Sequence, residues 1–216
     1  MILEIASFSI EAAEIAASHG ADRIEFCHNY EEGGVSPPLT EVKELTTKIH
    51  NPVFVMIRPR PGNFTYSSSE LSVMKANIIA MKQVGADGFV FGILNSENEL
   101  DIKNCSDLVN TAMPLPCTLH RAFDDTPDNI KTLQAAVDCG FARILSSGGK
   151  GSVVENIKTL ELLIRKASDQ IIIMPGGGLR SNSMDLLKEA GAREFHSSCI
   201  TGRQSLLPDS EEIKLL

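Results

Sequence analysis

Four copies of one short pattern recur along the chain and constrain its fold more than any other feature. They occupy residues 20–27 (GADRIEFC), 85–92 (GADGFVFG), 140–147 (GFARILSS) and 191–198 (GAREFHSS). Each copy begins with a glycine, which ends a helix in the left-handed conformation at little cost, and continues into a β-prone segment. The copies start 51 to 65 residues apart, a spacing too long for one βα unit and long enough for two.

A second set of β-prone segments lies between the copies, at residues 2–6, 53–58, 117–122 and 171–174. Helical patterns separate the strands, at residues 10–18, 69–83, 129–139, 153–166 and 181–190. Eight strands that alternate with helices predict a (β/α)8 TIM barrel, with residues 1–216 forming a single domain. Because Pro208 interrupts the chain after the last strand, only residues 210–216 remain for the eighth helix, which we expect to be short or absent.

Composition and charge argue against several classes of protein. The 216 residues carry 28 acidic and 20 basic side chains and no run of lysine or arginine, so we expect no nucleic-acid partner. No apolar stretch reaches the roughly 18 residues of a membrane span, and we expect no membrane partner. The five cysteines form no CxxC pair, and the first residues lack a signal-peptide pattern. We therefore expect a cytoplasmic protein.

Charged side chains interrupt the apolar pattern of several predicted strands. Because side chains alternate across a strand, Glu25 shares one face with Arg23 and Cys27, while Ile24 and Phe26 share the face towards the helices. The same alternation directs four further polar side chains into the barrel: Glu4, Arg58, His120 and His196. Their inward companions are Ala6, Met56, Arg60, Ala122 and Ser198.

A carboxylate inside a barrel costs several kcal/mol unless it is paired, so Glu4 and Glu25 need partners. We expect Arg58 to neutralise one or both of them and the histidines to exchange protons with a ligand. The candidate catalytic residues are therefore Glu4, Glu25, Arg58, His120 and His196. A structural ion network that fills the barrel explains the same pattern equally well.

The loops after the predicted strands are rich in glycine and arginine. Residues 175–178 (PGGG) precede Ser181 and Asn182, which can start a helix whose N–H groups hold an anion. The candidate anion-binding residues are Arg60, Arg121, Gly176, Gly177 and Gly178. The sequence thus predicts a small anionic ligand at the mouth of the barrel, although glycines that only form tight turns would give the same pattern.

Six segments resemble the CutC family, which is named for copper homeostasis. They are residues 20–27, 33–37 (GGVSP), 55–60 (VMIRPR), 119–124 (LHRAFD), 174–178 (MPGGG) and 194–198 (EFHSS). They occur in the family's order and spacing over residues 1 to about 200. The resemblance implies a cytoplasmic (β/α)8 barrel, often oligomeric, with a role in copper homeostasis.

The chain departs from this family at two places. Many members carry a first-strand cysteine that pairs with the one matching Cys27 as a candidate copper(I) site, and here that position is Ala6. Copper(I) prefers two or more sulfur ligands, so Cys27 with His28, His196 or a methionine predicts weak binding. The alternative function is an enzyme whose acid–base residues act on a small anionic or phosphorylated substrate at the C-terminal mouth.

The second departure is the shorter segment after the last strand. A short eighth helix leaves apolar barrel surface bare, which predicts a homo-oligomer, most simply a dimer.

Overall fold

A computed structural model describes residues 1–202 and 205–216 as strands that alternate with helices. The strands are β1 (Ile2–Ser7), β2 (Arg23–Phe26), β3 (Val53–Met56), β4 (Gly88–Phe91), β5 (Cys117–Leu119), β6 (Arg143–Ser146), β7 (Ile172–Pro175) and β8 (Glu194–Ser197). The helices are α1 (Ile10–Ser18), α2 (Leu39–Lys48), α3 (Ser68–Gln83), α4 (Ile102–Ala112), α5 (Asn129–Cys139), α6 (Ile157–Ala167), α7 (Met184–Glu189) and α8 (Ser210–Leu215).

The eight strands are parallel and pair in chain order, and β8 returns to pair with β1. The ring closes between β7 and β8 through one bridge, which joins Gly176 to His196. This is a (β/α)8 TIM barrel, and the predicted fold is confirmed. Across β1, the register places Glu4 opposite Arg23 on one side and opposite His196 on the other.

Two predicted segments differ from the structure for local reasons. The fifth strand ends at Leu119, because a 3-10 helix (Arg121–Asp125) begins after His120. Ala122 is therefore packed in the hydrophobic core and does not face the barrel interior as predicted. The predicted helix at 181–190 is divided into a 3-10 helix (Ser181–Ser183) and the short α7.

Most of the hydrophobic core lies between the barrel and the surrounding helices. Outward strand residues such as Ile5, Ile24, Phe26, Phe89 and Phe195 are fully buried there. A smaller apolar cluster, formed by Cys27, Phe54, Met56 and Val90, is separate from this layer. Because burial of the outer layer supplies the main hydrophobic stabilisation, the barrel interior is left available for charged side chains.

The eighth helix is short, as predicted, and it packs against α1. Ile213 and Leu216 are buried in the main core, whereas Leu206 and Leu215 are 50% and 68% exposed. The helix thus covers part of the apolar barrel surface that we expected to be exposed. The formation of a homo-oligomer stays a prediction. Within the described ranges, no helix has both the length and the apolar character needed to cross a bilayer.

Gly88 provides a test of the packing inside the barrel. The guanidinium groups of Arg23 and Arg143 lie 4.8 and 5.0 Å from the centre of the Phe54 ring. A Cβ atom on residue 88 would come within 2.6 Å of that ring. We expect Gly88→Ala to lower the free energy of unfolding by about 1–3 kcal/mol in urea denaturation, because the interior cannot expand without strain. In a Phe54→Leu background the same change should cost less, and an equal cost in both backgrounds would contradict this interpretation.

Candidate active site

A cavity of about 300 Å³ lies at the C-terminal mouth of the barrel. Its lining includes charged, sulfur-containing and glycine residues, among them Glu25, Cys27, Met56, Arg58, His120, Arg121, Gly177, Gly178, Arg180 and His196. The cavity therefore brings together four of the five predicted catalytic residues. The fifth, Glu4, is fully buried and contacts the cavity residue His196 through a hydrogen bond.

Below this cavity, Arg23 connects two buried carboxylates. Its Nε donates to Glu4 Oε2 at 2.5 Å, and its Nη2 donates to Glu194 Oε2 at 2.6 Å. Arg143 donates to the same Glu194 oxygen at 3.1 Å. The prediction that Arg58 neutralises the glutamates is therefore wrong, since Arg23 takes this role for Glu4. The reason is the strand register, which sets Arg23 directly opposite Glu4.

Arg58 instead holds the loops around the mouth together. Its Nη1 donates to the carbonyls of Glu32 and Gly34 at 2.7 and 2.9 Å, and its Nη2 donates to Gly62 at 2.8 Å. The β3 strand ends at Met56, so the chain has left the sheet before it reaches Arg58. This residue places a buried positive charge in the cavity wall, and within residues 1–202 and 205–216 it pairs with no glutamate side chain.

Glu4 orients the imidazole of His196. The His196 Nδ1 atom lies 2.8 Å from Glu4 Oε1, and the other ring nitrogen faces Glu25 Oε2 at 3.8 Å. Burial alone would raise the pKa of Glu4, but the hydrogen bond from His196 and the charge of Arg23 outweigh it and lower the pKa to about 2. Glu4 is thus a permanent carboxylate that keeps a proton on Nδ1 of His196.

Glu25 and His196 form a pair that can exchange a proton. Burial, helped by the charge of Glu4, raises the pKa of Glu25 to about 7, although His196 and Arg23 oppose the shift. Burial would lower the pKa of His196, but the charges of Glu25 and Glu4 and the hydrogen bond to Glu4 raise it. Because the two groups are coupled, the pair as a whole gains or loses a proton close to neutral pH.

His120 differs from His196 because it is held neutral. Its Nδ1 accepts the backbone N–H of Ala122 at 3.2 Å, so the proton of the neutral ring lies on Nε2. Burial and the nearby charge of Arg58 lower the pKa of His120 to about 3. The structure therefore does not support the predicted proton exchange by His120 and makes it a neutral hydrogen-bond donor.

The predicted glycine site is only partly present. Gly177 and Gly178 line the cavity, but Gly176 pairs with the last strand and donates its N–H to the carbonyl of Ser146 at 3.0 Å. The predicted anion position at the following helix start is wrong. The N–H and hydroxyl of Ser181 both donate to the carboxylate of Glu212 on α8, at 2.7 and 3.0 Å.

The two predicted anion-binding arginines have different positions. Arg121 lines the cavity with a side chain 45% exposed, and it donates to Asp124 and Ser147. Arg60 points away to Glu70 at 2.5 Å and does not line the cavity, so its assignment to this site is wrong. A third arginine, Arg180, lines the cavity and was absent from the predicted set.

Cys27 lies in the cavity wall as a buried thiol. Burial, followed by the charges of Glu25 and Glu4, raises its pKa well above the usual range, which disfavours the thiolate. Met56 belongs to the same apolar cluster. His28, a predicted partner for Cys27, is instead paired with Glu41 at 2.8 Å.

Three side chains that suit a hard cation lie close together at this site. One donor atom each of Glu4, Glu25 and His196 lies within 4.8 Å of the others. Both oxygens of Glu4 are already engaged, however, by Arg23 and His196. In the present arrangement Glu4 would have to give up one of these contacts to bind a cation.

Several charged residues of the interior escaped the sequence prediction. Leu145 and His196 line the cavity, so both face inward. Arg143 and Glu194 each lie two residues earlier on the same strand, and strand alternation would therefore have placed both inside the barrel. Arg23 was assigned to the inward face without a role. Arg180 follows the glycine-rich loop and had no comparable signal.

Comparison with known proteins adds independent information. The family model described as CutC family matches residues 1–201. The human copper homeostasis protein cutC homolog is 41% identical over 205 residues, which cover 94% of this chain and 75% of that protein. A family protein CutC from Agrobacterium fabrum is 42% identical over 200 residues, covering 92% and 79%.

Solved structures show the same relationship. The crystal structure of the copper homeostasis protein CutC from Streptococcus agalactiae is 32% identical, with a TM-score of 0.88, and the match covers 93% of this chain and all of that one. An aldolase called QR15 aligns with a TM-score of 0.67 at 14% identity, which supports only the common fold.

The pKa of Glu25 leads to a test of stability against pH. The folded protein keeps a proton on Glu25 up to about pH 7, whereas the unfolded chain releases it near 4.5, so this residue lowers the free energy of unfolding as the pH rises through that window. Glu25→Gln should remove this effect. We expect the variant to be more stable than the wild type by about 2–3 kcal/mol at pH 7 and by little at pH 4.5, in urea titrations at each pH. A difference that does not grow with pH would contradict the assignment.

Proposed function

The chain belongs to the CutC family, and we propose that its C-terminal cavity is an acid–base active site for a small anionic substrate. The observation that carries this proposal is the line of contacts from Glu4 through His196 to Glu25, which ends in the cavity. A carboxylate that titrates near neutral pH beside an oriented imidazole is suited to general acid–base catalysis.

Each residue of this line has a distinct task. Glu25 removes or returns a proton, since its pKa of about 7 populates both forms at neutral pH. His196 Nε2 faces Glu25 Oε2 at 3.8 Å, so it can exchange a proton with Glu25 through one bridging water or after the two atoms close to hydrogen-bond distance. Glu4 and Arg23 are positioning residues, because they hold the ring of His196 through one carboxylate.

The charges around the cavity support an anionic substrate. Arg58, Arg121 and Arg180 line it together with Glu25, and among the described residues only Arg121 of these arginines has an acidic partner, Asp124, although the whole chain has a net charge of −8. Such a local excess of positive charge attracts small anions. The volume of about 300 Å³ is at the small end of ligand-binding pockets.

Proton exchange with solvent tests this proposal without knowledge of the reaction. The protein is incubated in D2O with a panel of small anions (2-oxo acids, 2-hydroxy acids, amino acids and sugar phosphates), and loss of C–H signals is followed by proton NMR. We expect exchange or turnover of at least one compound, and a loss of about 10²-fold or more in Glu25→Gln and His196→Asn.

Matched controls are available on the same protein. Glu41 and His28 form an ion pair outside the cavity lining, so Glu41→Gln and His28→Asn should keep full activity. Inactivity of the wild type towards the whole panel, or an unchanged rate in Glu25→Gln, would refute the acid–base site.

Copper(I) binding is the second candidate, favoured by the names of the relatives and by Cys27 and Met56 in the cavity wall. The donor set fits copper(I) poorly. It offers one thiol with a strongly raised pKa and one thioether, and the position expected to hold a second cysteine is Ala6. The thiolate and not the thiol is the metal ligand, so the raised pKa of Cys27 and the lack of a cysteine at position 6 both disfavour tight binding.

A competition titration with a copper(I) chelator, under anaerobic reducing conditions, separates the two candidates. We expect weak binding that disappears in Cys27→Ala and persists in Cys199→Ala, where a buried thiol outside the cavity lining is removed. Ala6→Cys should create tight binding, because Ala6 lines the same cavity. Tight stoichiometric binding by the wild type that survives Cys27→Ala would contradict the expectation of weak binding through Cys27.

A further inference from the structure

We propose that His120 and Glu25 act together on an anionic carbonyl compound, with His120 Nε2–H donating to the carbonyl oxygen while Glu25 removes a proton from the adjacent carbon. This inference rests on the proposed acid–base function and names the class of substrate that the site takes. It assigns His120 the task of holding the negative charge that forms on oxygen.

The first support is a set of buried polar atoms without partners. In the described part of the chain, Glu25 Oε1, Arg58 Nε and His120 Nε2 are buried and form no hydrogen bond. All three residues line the cavity. Leaving buried donors and acceptors unsatisfied costs stability, so a cavity that keeps them is suited to a ligand with both an acceptor oxygen and a proton to give.

The second support is that His120 is fixed in one position and one tautomer. The N–H of Ala122 occupies Nδ1, and the Phe64 ring packs against the imidazole with 4.7 Å between ring centres. Gly92 makes room for the ring, since a Cβ atom there would lie 2.8 Å from it. A donor that cannot rotate or change tautomer is preorganised for an oxygen on which charge develops.

The third support is that His120 is a neutral imidazole, which donates a hydrogen bond from Nε2 and carries no additional acidic proton. Arg58 and burial keep the imidazole neutral, so it does not compete with Glu25 as an acid. The positive charge of Arg58 also favours negative charge on a nearby ligand oxygen. A carboxylate base combined with a neutral imidazole donor is an established arrangement for enolisation.

The chemical step balances within the cavity. The C–H bond next to the carbonyl breaks, and its proton goes to the Glu25 carboxylate. The electron pair of that bond forms a carbon–carbon double bond, and the π pair of the carbonyl moves to the oxygen that His120 holds. The proton on Glu25 is replaced by one from solvent, and return of that proton to the same carbon restores the carbonyl and completes the exchange, so nothing is oxidised or reduced.

The anionic group is recognised by the arginines at the mouth. Arg121 and Arg180 line the same cavity as His120 and Glu25. A carboxylate or a phosphate attached to the carbonyl carbon skeleton would satisfy this charge equally. The class is therefore an anionic carbonyl compound, and the experiment separates 2-oxo acids from phosphorylated ketones.

Binding of two enolate mimics, oxalate and 2-phosphoglycolate, tests the donor. Nitrogen-15 NMR of the histidine rings should show His120 as neutral Nε2–H in the free protein, and its proton resonance should shift with one of the two anions. We expect that anion to bind about tenfold or more weakly to His120→Leu, and His120→Gln, which keeps an N–H donor, to recover part of the loss. An Nδ1–H tautomer, or a His120 resonance unmoved by saturating concentrations of both anions, would overturn the proposal.

Exchange kinetics distinguish this proposal from the one on which it rests. Deuterium uptake from D2O into pyruvate and dihydroxyacetone phosphate is compared in wild type, His120→Leu and Glu25→Gln. We expect both variants to lose about 10²-fold or more with the same compound. Uptake that is unchanged in His120→Leu and lost in Glu25→Gln would overturn the role of His120 and leave the acid–base site standing. If no carbonyl compound of the wider panel exchanges while a 2-hydroxy acid or an amino acid does, the carbonyl class is wrong.

Discussion

The contact between Arg23 and Glu4 is the interaction on which the barrel interior depends. Both side chains are almost fully buried, and a buried charge without a partner is strongly destabilising. Because the hydrogen bond from His196 and the charge of Arg23 lower the pKa of Glu4, its carboxylate fixes the ring of His196, and His196 faces Glu25. The ion network and the candidate active site are therefore two levels of one structure, with the Arg23 ion pairs below and the facing side chains of His196 and Glu25 above.

The fold permits this arrangement because it keeps apolar and polar burial apart. The main hydrophobic layer lies outside the barrel strands, where residues such as Phe26, Phe89 and Phe195 contact the helices. Interior positions are thus less constrained to be apolar, and they hold an ion network and a cavity. The same division explains why the two descriptions given by the sequence, a structural network and a functional site, are compatible.

Strand periodicity predicted much of this organisation, and it also placed Arg58 and His120, which lie one or two residues past a strand end, in the cavity. The repeated glycine pattern identified the barrel, and alternation placed Glu4, Glu25 and His196 on the inner side. It failed for Arg60 and Ala122, because the chain leaves the sheet before these residues and alternation no longer applies. The partner of Ser181 is Glu212, 31 residues further on, and no local pattern indicates such a contact.

The closure of the barrel has a consequence for its motions. Seven of the eight junctions are paired strands, whereas β7 and β8 are joined by one bridge, between Gly176 and His196. Local opening is easiest where few hydrogen bonds must break, so fluctuations of the ring should concentrate at this junction. Because β8 stays paired with β1 and β1 with β2, each such opening would leave His196 beside Glu4 and Glu25 and would displace β7 together with the glycine loop that follows it. The width of the cavity between His196 and Gly177 is then tied to the weakest junction of the barrel.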